Sequence, residues 1–348
     1  MPGRSRPERA TFVGSAAATW VFAALYFCCY APYSALAKAL SSGAYPGLER
    51  GVPGAALLPL ANLSALAVLL LAFSLGGFWR YASRLEIGRL KLPWPTWSTA
   101  ASGACMAVIM LTTTLAYTFE GVSIVFVMLL MRGGVLLIAP LVDLVAKRRA
   151  RWFAWLGLGL ALAALVVAFA ERGGYAISLG CAVDIGLYLL AYLVRLRIMS
   201  AEAKTADAAV TKRYLVEEQL TAATLSVALL AALGWAGRGE LMSTIRAGFV
   251  DLPASGVALE TVLLGALSEG VMLFGSLVFL DARANTFSVA VNRSTSVLAG
   301  VVAAFALFWL LDQPAPSAHQ LVGAGLVLLA IASLGFGPHV ADALRRRR

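Results

Sequence analysis

The chain has 348 residues, 60% of them apolar and only 13% charged, with a mean hydropathy of +0.82, which excludes an ordinary soluble globular protein and leaves little length for a soluble domain. The formal net charge of +10 does not indicate nucleic-acid binding, because the basic residues form short clusters between apolar runs instead of lining one face. Those runs are continuous, whereas barrel strands would alternate apolar and polar residues, so the expected class is an all-α integral membrane protein.

In chain order, Arg4, Arg6 and Arg9 precede an apolar stretch longer than a signal-peptide core and without a convincing cleavage site, which reads as a retained first span. A hydrocarbon core about 30 Å thick needs on the order of 20 apolar residues per helix. Runs of that length predict spans near 12–40, 55–76, 97–118, 121–146 and 152–170, then near 175–194, 214–236, 256–280, 286–310 and 319–338. Ten crossings put both termini on one side. The basic residues test the count: Arg80, Arg84, Arg89, Lys91, Lys147, Arg148, Arg149, Arg151, Arg195, Arg197, Lys204, Lys212, Arg213, Arg283 and the tail from Arg345 to Arg348 fall on that side, and only Arg50, Arg172, Arg238 and Arg246 on the other. Positive charge accumulates in cytoplasmic loops, so both termini are expected in the cytoplasm, with the plasma (inner) membrane as the bilayer. Lys38, Glu217, Glu218 and Glu260 lie near span ends and read as interfacial, as do Trp20, Trp152 and Trp155. Cys28, Cys29, Cys105 and Cys181 fall inside apolar runs and read as small buried side chains, not a disulfide framework.

The halves resemble each other. Leu25, Tyr26 and Tyr30 recur as Leu187, Tyr188 and Tyr192 at an offset of 162, Arg132 recurs as Arg293 at 161, and Gly157 and Gly159 recur as Gly323 and Gly325 at 166. Ordered anchors at nearly constant offset indicate duplication, with residues 1–172 and 173–348 as two five-helix repeats of one membrane domain. An odd number of spans per repeat inserts the second copy upside down, and such inverted repeats support alternating access to a site between them.

The segment from Leu310 to Leu326, LeuLeuAspGlnProAlaProSerAlaHisGlnLeuValGlyAlaGlyLeu, resembles the last loop and span of the drug/metabolite transporter superfamily, with Asp312 in its acidic position. The first-half counterpart, from Lys147 through Gly157 and Gly159, keeps the short loop and glycine helix but has LysArgArg where many relatives place a glutamate. The resemblance covers nearly the whole chain and implies five plus five inverted spans. Arg132 and Arg293 stand where the nucleotide-sugar and organophosphate branches place basic residues that contact anionic substrate groups. The glycines themselves suggest close helix approach.

The charges inside the spans carry the functional reading. Arg132 should lie roughly 18 Å or more from either end of its helix, where an arginine costs of order 2.5–3.5 kcal/mol and must face the bundle interior and an anion. That anion is either a substrate or a carboxylate, and Asp184 and Glu269 are both deep enough to supply it, or to act as coupling groups in a proton-linked cycle. Arg293 is nearer its helix end, so snorkelling competes with an inward orientation. Asn292, Ser294, Thr295 and Ser296 make its span the most polar one and suggest a hydrated cavity. Tyr26, Tyr30 and Tyr33 form a stripe on the first span, with Pro32 expected to bend it, and Tyr188 and Tyr192 share a face with Asp184. The expected substrate-binding set is therefore Arg132, Arg293, Asn292, Tyr26, Tyr30 and Tyr188. The expected activity is secondary transport of a small anionic or zwitterionic metabolite, with protons or a counter-substrate as possible partners and no cofactor. A lipid-linked sugar flippase, a cationic drug exporter and a non-transporting scaffold are the alternatives. An enzyme is not expected, since His319 and His339 have neither a metal-ligand cluster nor a nucleophile motif beside them.

Overall fold

The computed structural model describes residues 16–87, 90–119, 122–135, 152–170, 177–203, 207–280 and 285–346. Its helices are α1 (Ala16–Ser42), α2 (Gly54–Leu75), α3 (Trp97–Ala116), α4 (Ile124–Met128, continued by a π-helical turn at Leu129–Gly133), α5 (Trp152–Phe169), α6 (Leu179–Glu202), α7 (Ala208–Ala236), α8 (Gly239–Val250), α9 (Ala258–Phe279), α10 (Asn285–Leu311) and α11 (Ala318–Arg346). Seven of them, α1, α2, α3, α6, α7, α9 and α10, contain stretches long and apolar enough to cross a membrane, and Ile124–Gly133, Trp155–Ala164 and Ala318–Ser333 are shorter apolar segments in α4, α5 and α11.

The polarity of the bundle is inverted relative to a soluble protein. Leu75, Leu179, Leu259 and Leu310 are each more than 75% exposed, whereas Arg132, Arg195, Glu218, Glu269, Asn292 and Arg293 are each at most 2% exposed. Water would penalise both features, and hydrocarbon around a polar interior rewards both. The chain is an integral multi-pass membrane protein. Trp20, Trp152 and Trp155 are each more than half exposed.

The packing follows a pattern that runs between the halves. Helix α1 packs on α9 as α6 packs on α3, and α2 packs on α9 as α7 packs on α3. Helices α2 and α7, α4 and α10, and α5 and α11 pack on each other, while α8 lies against α2 and α7. Two glycines stand at close helix crossings. A Cβ on Gly265 of α9 would sit 2.0 Å from the Ala61 carbonyl of α2, and one on Gly103 of α3 would sit 2.9 Å from the Glu218 carbonyl of α7. These glycines are 162 positions apart, the offset of the tyrosine pairs. Of the glycines expected at crossings, Gly323 meets Leu129 and the Ala164 carbonyl, but Gly159 and Gly325 face open space. A glycine-rich helix marks a close approach only on the face turned to a neighbour.

Three local features depart from the sequence expectations. An antiparallel ribbon of β1 (Arg84–Ile87) and β2 (Leu90–Pro93) interrupts the expected all-helical chain between α2 and α3. Its base is held by Glu217, which accepts from the backbone amides of Ser83 (3.0 Å) and Thr96 (3.1 Å) and from the Thr99 hydroxyl (2.7 Å). Helix α8 is an additional short helix, and α6 and α11 each run eight residues beyond their expected ends at 194 and 338. Helix α10 stops at a left-handed residue, Asp312 (φ 49°), where the Gln313 amide donates to the Leu307 carbonyl at 3.2 Å. That bond reaches back six positions to a carbonyl near the helix end, and with the left-handed residue it gives the acidic position of the Leu310–Leu326 segment a role in ending the helix. The basic clusters at 147–151, 204 and 283, and Arg172, lie outside the described residues.

Candidate functional site

The stripe of α1 predicted from the sequence faces inward: Tyr26, Tyr30 and Tyr33 are all buried. The Tyr33 hydroxyl meets Thr114 Oγ1 at 2.7 Å, and the Tyr30 hydroxyl meets that of Tyr117 at 2.7 Å. Across from this stripe, α6 presents Cys181, Asp184, Tyr188, Tyr192, Arg195 and Met199 as one buried face at helical spacing.

Arg132 enters between the two faces from the π-helical turn of α4. Such a turn adds a residue to the helical repeat and re-aims the side chains it carries, which is why π turns concentrate at functional sites. Its guanidinium donates to the Tyr30 hydroxyl of α1 and the Tyr188 hydroxyl of α6, and lies 5.4 Å from the centroid of each ring. Arg293 approaches from α10: Nη1 donates to the same Tyr188 hydroxyl at 3.2 Å, and the guanidinium lies 4.3 Å from the Tyr192 ring and 5.5 Å from Phe279. Arg293 therefore turns inward and does not snorkel, because these rings and Tyr188 give the guanidinium a polar, polarisable seat that the lipid boundary lacks. Each arginine stacks over the equivalent tyrosine of its own half, Arg132 over Tyr30 and Arg293 over Tyr192.

Neither acid expected to neutralise Arg132 does so. Among the described residues Arg132 and Arg293 form no ion pair with a carboxylate, and Arg132 Nε, Arg293 Nε and Arg293 Nη2 are buried without a hydrogen-bond partner. Asp184 lies one turn, about 6 Å, along α6 from the Tyr188 that Arg132 reaches. Asp184 Oδ2 and Glu269 Oε1 are themselves buried and unpartnered.

Arg132 and Arg195 border a small chamber of about 20 Å³, room for about one water. Tyr26, Tyr30, Arg132, Tyr192, Arg195 and Asn292 line it with apolar residues of α3 and α9. Of the polar run in α10 only Asn292 faces this space. Ser294 and Thr295 donate to the Val291 carbonyl and Ser296 to that of Arg293, so these hydroxyls are used by their own helix. Arg293 and Tyr188 stand behind the lining, and Asp184 and Glu269 lie away from it.

Arg195 corrects the sequence reading most directly. Expected in a cytoplasmic loop, it is 1% exposed, lines the chamber and grips Glu218, itself expected at the interface but fully buried. Arg195 Nε and Nη2 donate to the two carboxylate oxygens of Glu218 at 2.9 and 2.8 Å. The signal was present: Arg195 continues the stripe of Asp184, Tyr188 and Tyr192, seven residues after Tyr188. Tyr117, just past the end of α3, carried no such pattern. At the far mouth of the bundle an open vestibule of about 820 Å³ is bordered by Lys38, Arg50, Thr118, Ser123, Gln313 and Gln320 among others.

No family model and no curated protein matches the chain. Among solved structures, a crystal structure of a protein aligns with it at a TM-score of 0.55 and 16% identity, covering 96% of this chain and 99% of that one. At that identity the likeness concerns the fold alone, and it runs from end to end.

Proposed function

We propose that the protein is a secondary carrier of a small anionic or zwitterionic organic metabolite, built like the drug/metabolite transporters from two inverted five-helix repeats with ten crossings. Exchanging the halves carries the α1–α9 pair onto α6–α3, the α2–α9 pair onto α7–α3, Gly103 onto Gly265, and the Arg132–Tyr30 stack onto the Arg293–Tyr192 stack. That supports an axis in the membrane plane and, with it, alternating access. Both termini are then cytoplasmic.

One observation carries the substrate class. Two buried guanidiniums share a single neutral acceptor, the Tyr188 hydroxyl, and keep unspent N–H donors with no carboxylate on either among the described residues; Arg132 borders the chamber and Arg293 stands behind its lining. Like charges so placed repel, and an anion between them would relieve the repulsion and use the free donors. Lys38 and Arg50 at the vestibule add positive charge along the approach. Asp184 and Glu269, each with an unpartnered buried oxygen, are positions at which a proton could be held in a coupled cycle.

Counterflow in proteoliposomes, screened over phosphorylated metabolites, nucleotide sugars, amino acids and cationic drugs, tests this reading. An anionic or zwitterionic compound is expected to exchange, and Arg132→Ala to reduce that exchange by about tenfold or more, the scale of a lost charged hydrogen bond. Unchanged exchange in Arg132→Ala, or exchange confined to cations, would sink the anion site.

A further inference from the structure

The two ends of the bundle are built differently. The vestibule end gathers the last turns of α1, α3 and α10 and the first of α2, α4 and α11 around open space. The opposite end, which carries the C-terminus of α11, is tied across four helices. Glu218 of α7 accepts from Arg195 of α6 through both oxygens, from Ser102 of α3 at 2.5 Å and from Tyr214 at 3.0 Å. Arg195 Nη2 also donates to Ser276 of α9 at 2.9 Å, and Gln219 donates to that same hydroxyl at 2.8 Å. Arg195 and Ser276 belong at once to this cluster and to the chamber wall.

Resting on the carrier reading, we propose that the Arg195–Glu218 pair is the gate that closes the chamber at this end, and that the pair parts whenever the chamber opens there. The chemistry suits a two-position element. Desolvated together, the guanidinium fork and carboxylate satisfy each other, and each is equally well satisfied by water once apart; separated but still dry, both are costly. An apolar plug has no such second resting state in a wetted passage. The cluster joins the helices whose relative movement would open that end: α6 to α7 directly, α3 through Ser102 and α9 through Ser276. The position equivalent to Arg195 in the first half is Tyr33, 162 positions before it, and that residue makes a neutral bond to Thr114 in place of an ion pair.

Met106, buried in the chamber wall, reports on the gate. With Cys28, Cys29, Cys105 and Cys181 replaced by serine and Met106→Cys introduced, the protein is reconstituted in vesicles and treated with a membrane-impermeant maleimide from the side of its C-terminus. Glu218→Gln is expected to raise that labelling rate by about tenfold or more over the parent, the size of a typical coupling between two conformations. Equal rates overturn the gate. Should Glu218→Gln fail to reconstitute, Ser102→Ala with Tyr214→Phe keeps the ion pair but strips two of its supports, and the same comparison is read from it: a rise supports the gate and no rise overturns it. The labelling needs no substrate. A rise without flux of any compound would remove the carrier and keep the gate, whereas flux without a rise would do the reverse.

Discussion

Tyr188 shows how much one side chain can hold at the centre of this protein. Its hydroxyl accepts from Arg132 and from Arg293, which enter from helices about 160 residues apart in the chain. Tyr188→Phe would leave both donors buried without that acceptor, and hydrogen bonds to charged groups contribute about 1.5–3 kcal/mol. We expect a loss of stability of that order, visible as a lower unfolding temperature in detergent and recovered in part by an added anion. Tyr26→Phe is the control, because the Tyr26 hydroxyl borders the chamber and makes no hydrogen bond among the described residues; its cost should stay under about 1 kcal/mol. Equal effects of the two substitutions would remove Tyr188 from its bridging role.

At the scale of elements, the crossings at Gly103 and Gly265 set how deep the helices sit in one another and so where the tyrosine faces meet. Gly265→Val would drive a branched side chain into the Ala61 carbonyl and Ser64 of α2, and overpacking of this kind costs roughly 1–3 kcal/mol or more. Gly325→Ala, on a glycine facing open space, should change stability by less than about 1 kcal/mol, the scale of the helix-propensity difference. Thermal unfolding of the purified variants distinguishes them; similar midpoints would mean that the α2–α9 crossing is not tight. The π-helical turn at Leu129–Gly133 belongs to this scale as well, since the aim of Arg132 depends on it.

For the whole molecule, the ten crossings proposed above would place both ends of the chain on one side. A fluorescent reporter that folds only in the cytoplasm should glow when fused at either terminus, and a phosphatase active only outside should work when inserted after Gly237, between α7 and α8. Phosphatase activity at one terminus and not at the other would remove the ten-crossing topology, and with it the inverted repeat.

Spanning helices were legible in the sequence because their cause is local: hydrocarbon demands unbroken apolar runs whose backbone groups bond within the segment, and the helices that emerge lie within a few residues of those runs at most ends. The inward stripe of Tyr26, Tyr30 and Tyr33 follows from spacing alone. Partnerships were not legible, because they depend on the register between helices distant in the chain, which packing at a few small residues decides. Periodicity could bring Arg195 onto the face of Tyr188, yet only the assembled bundle puts Glu218 against it and leaves Arg132 to the phenols, with Asp184 one turn from Tyr188 and in no ion pair with either arginine among the described residues.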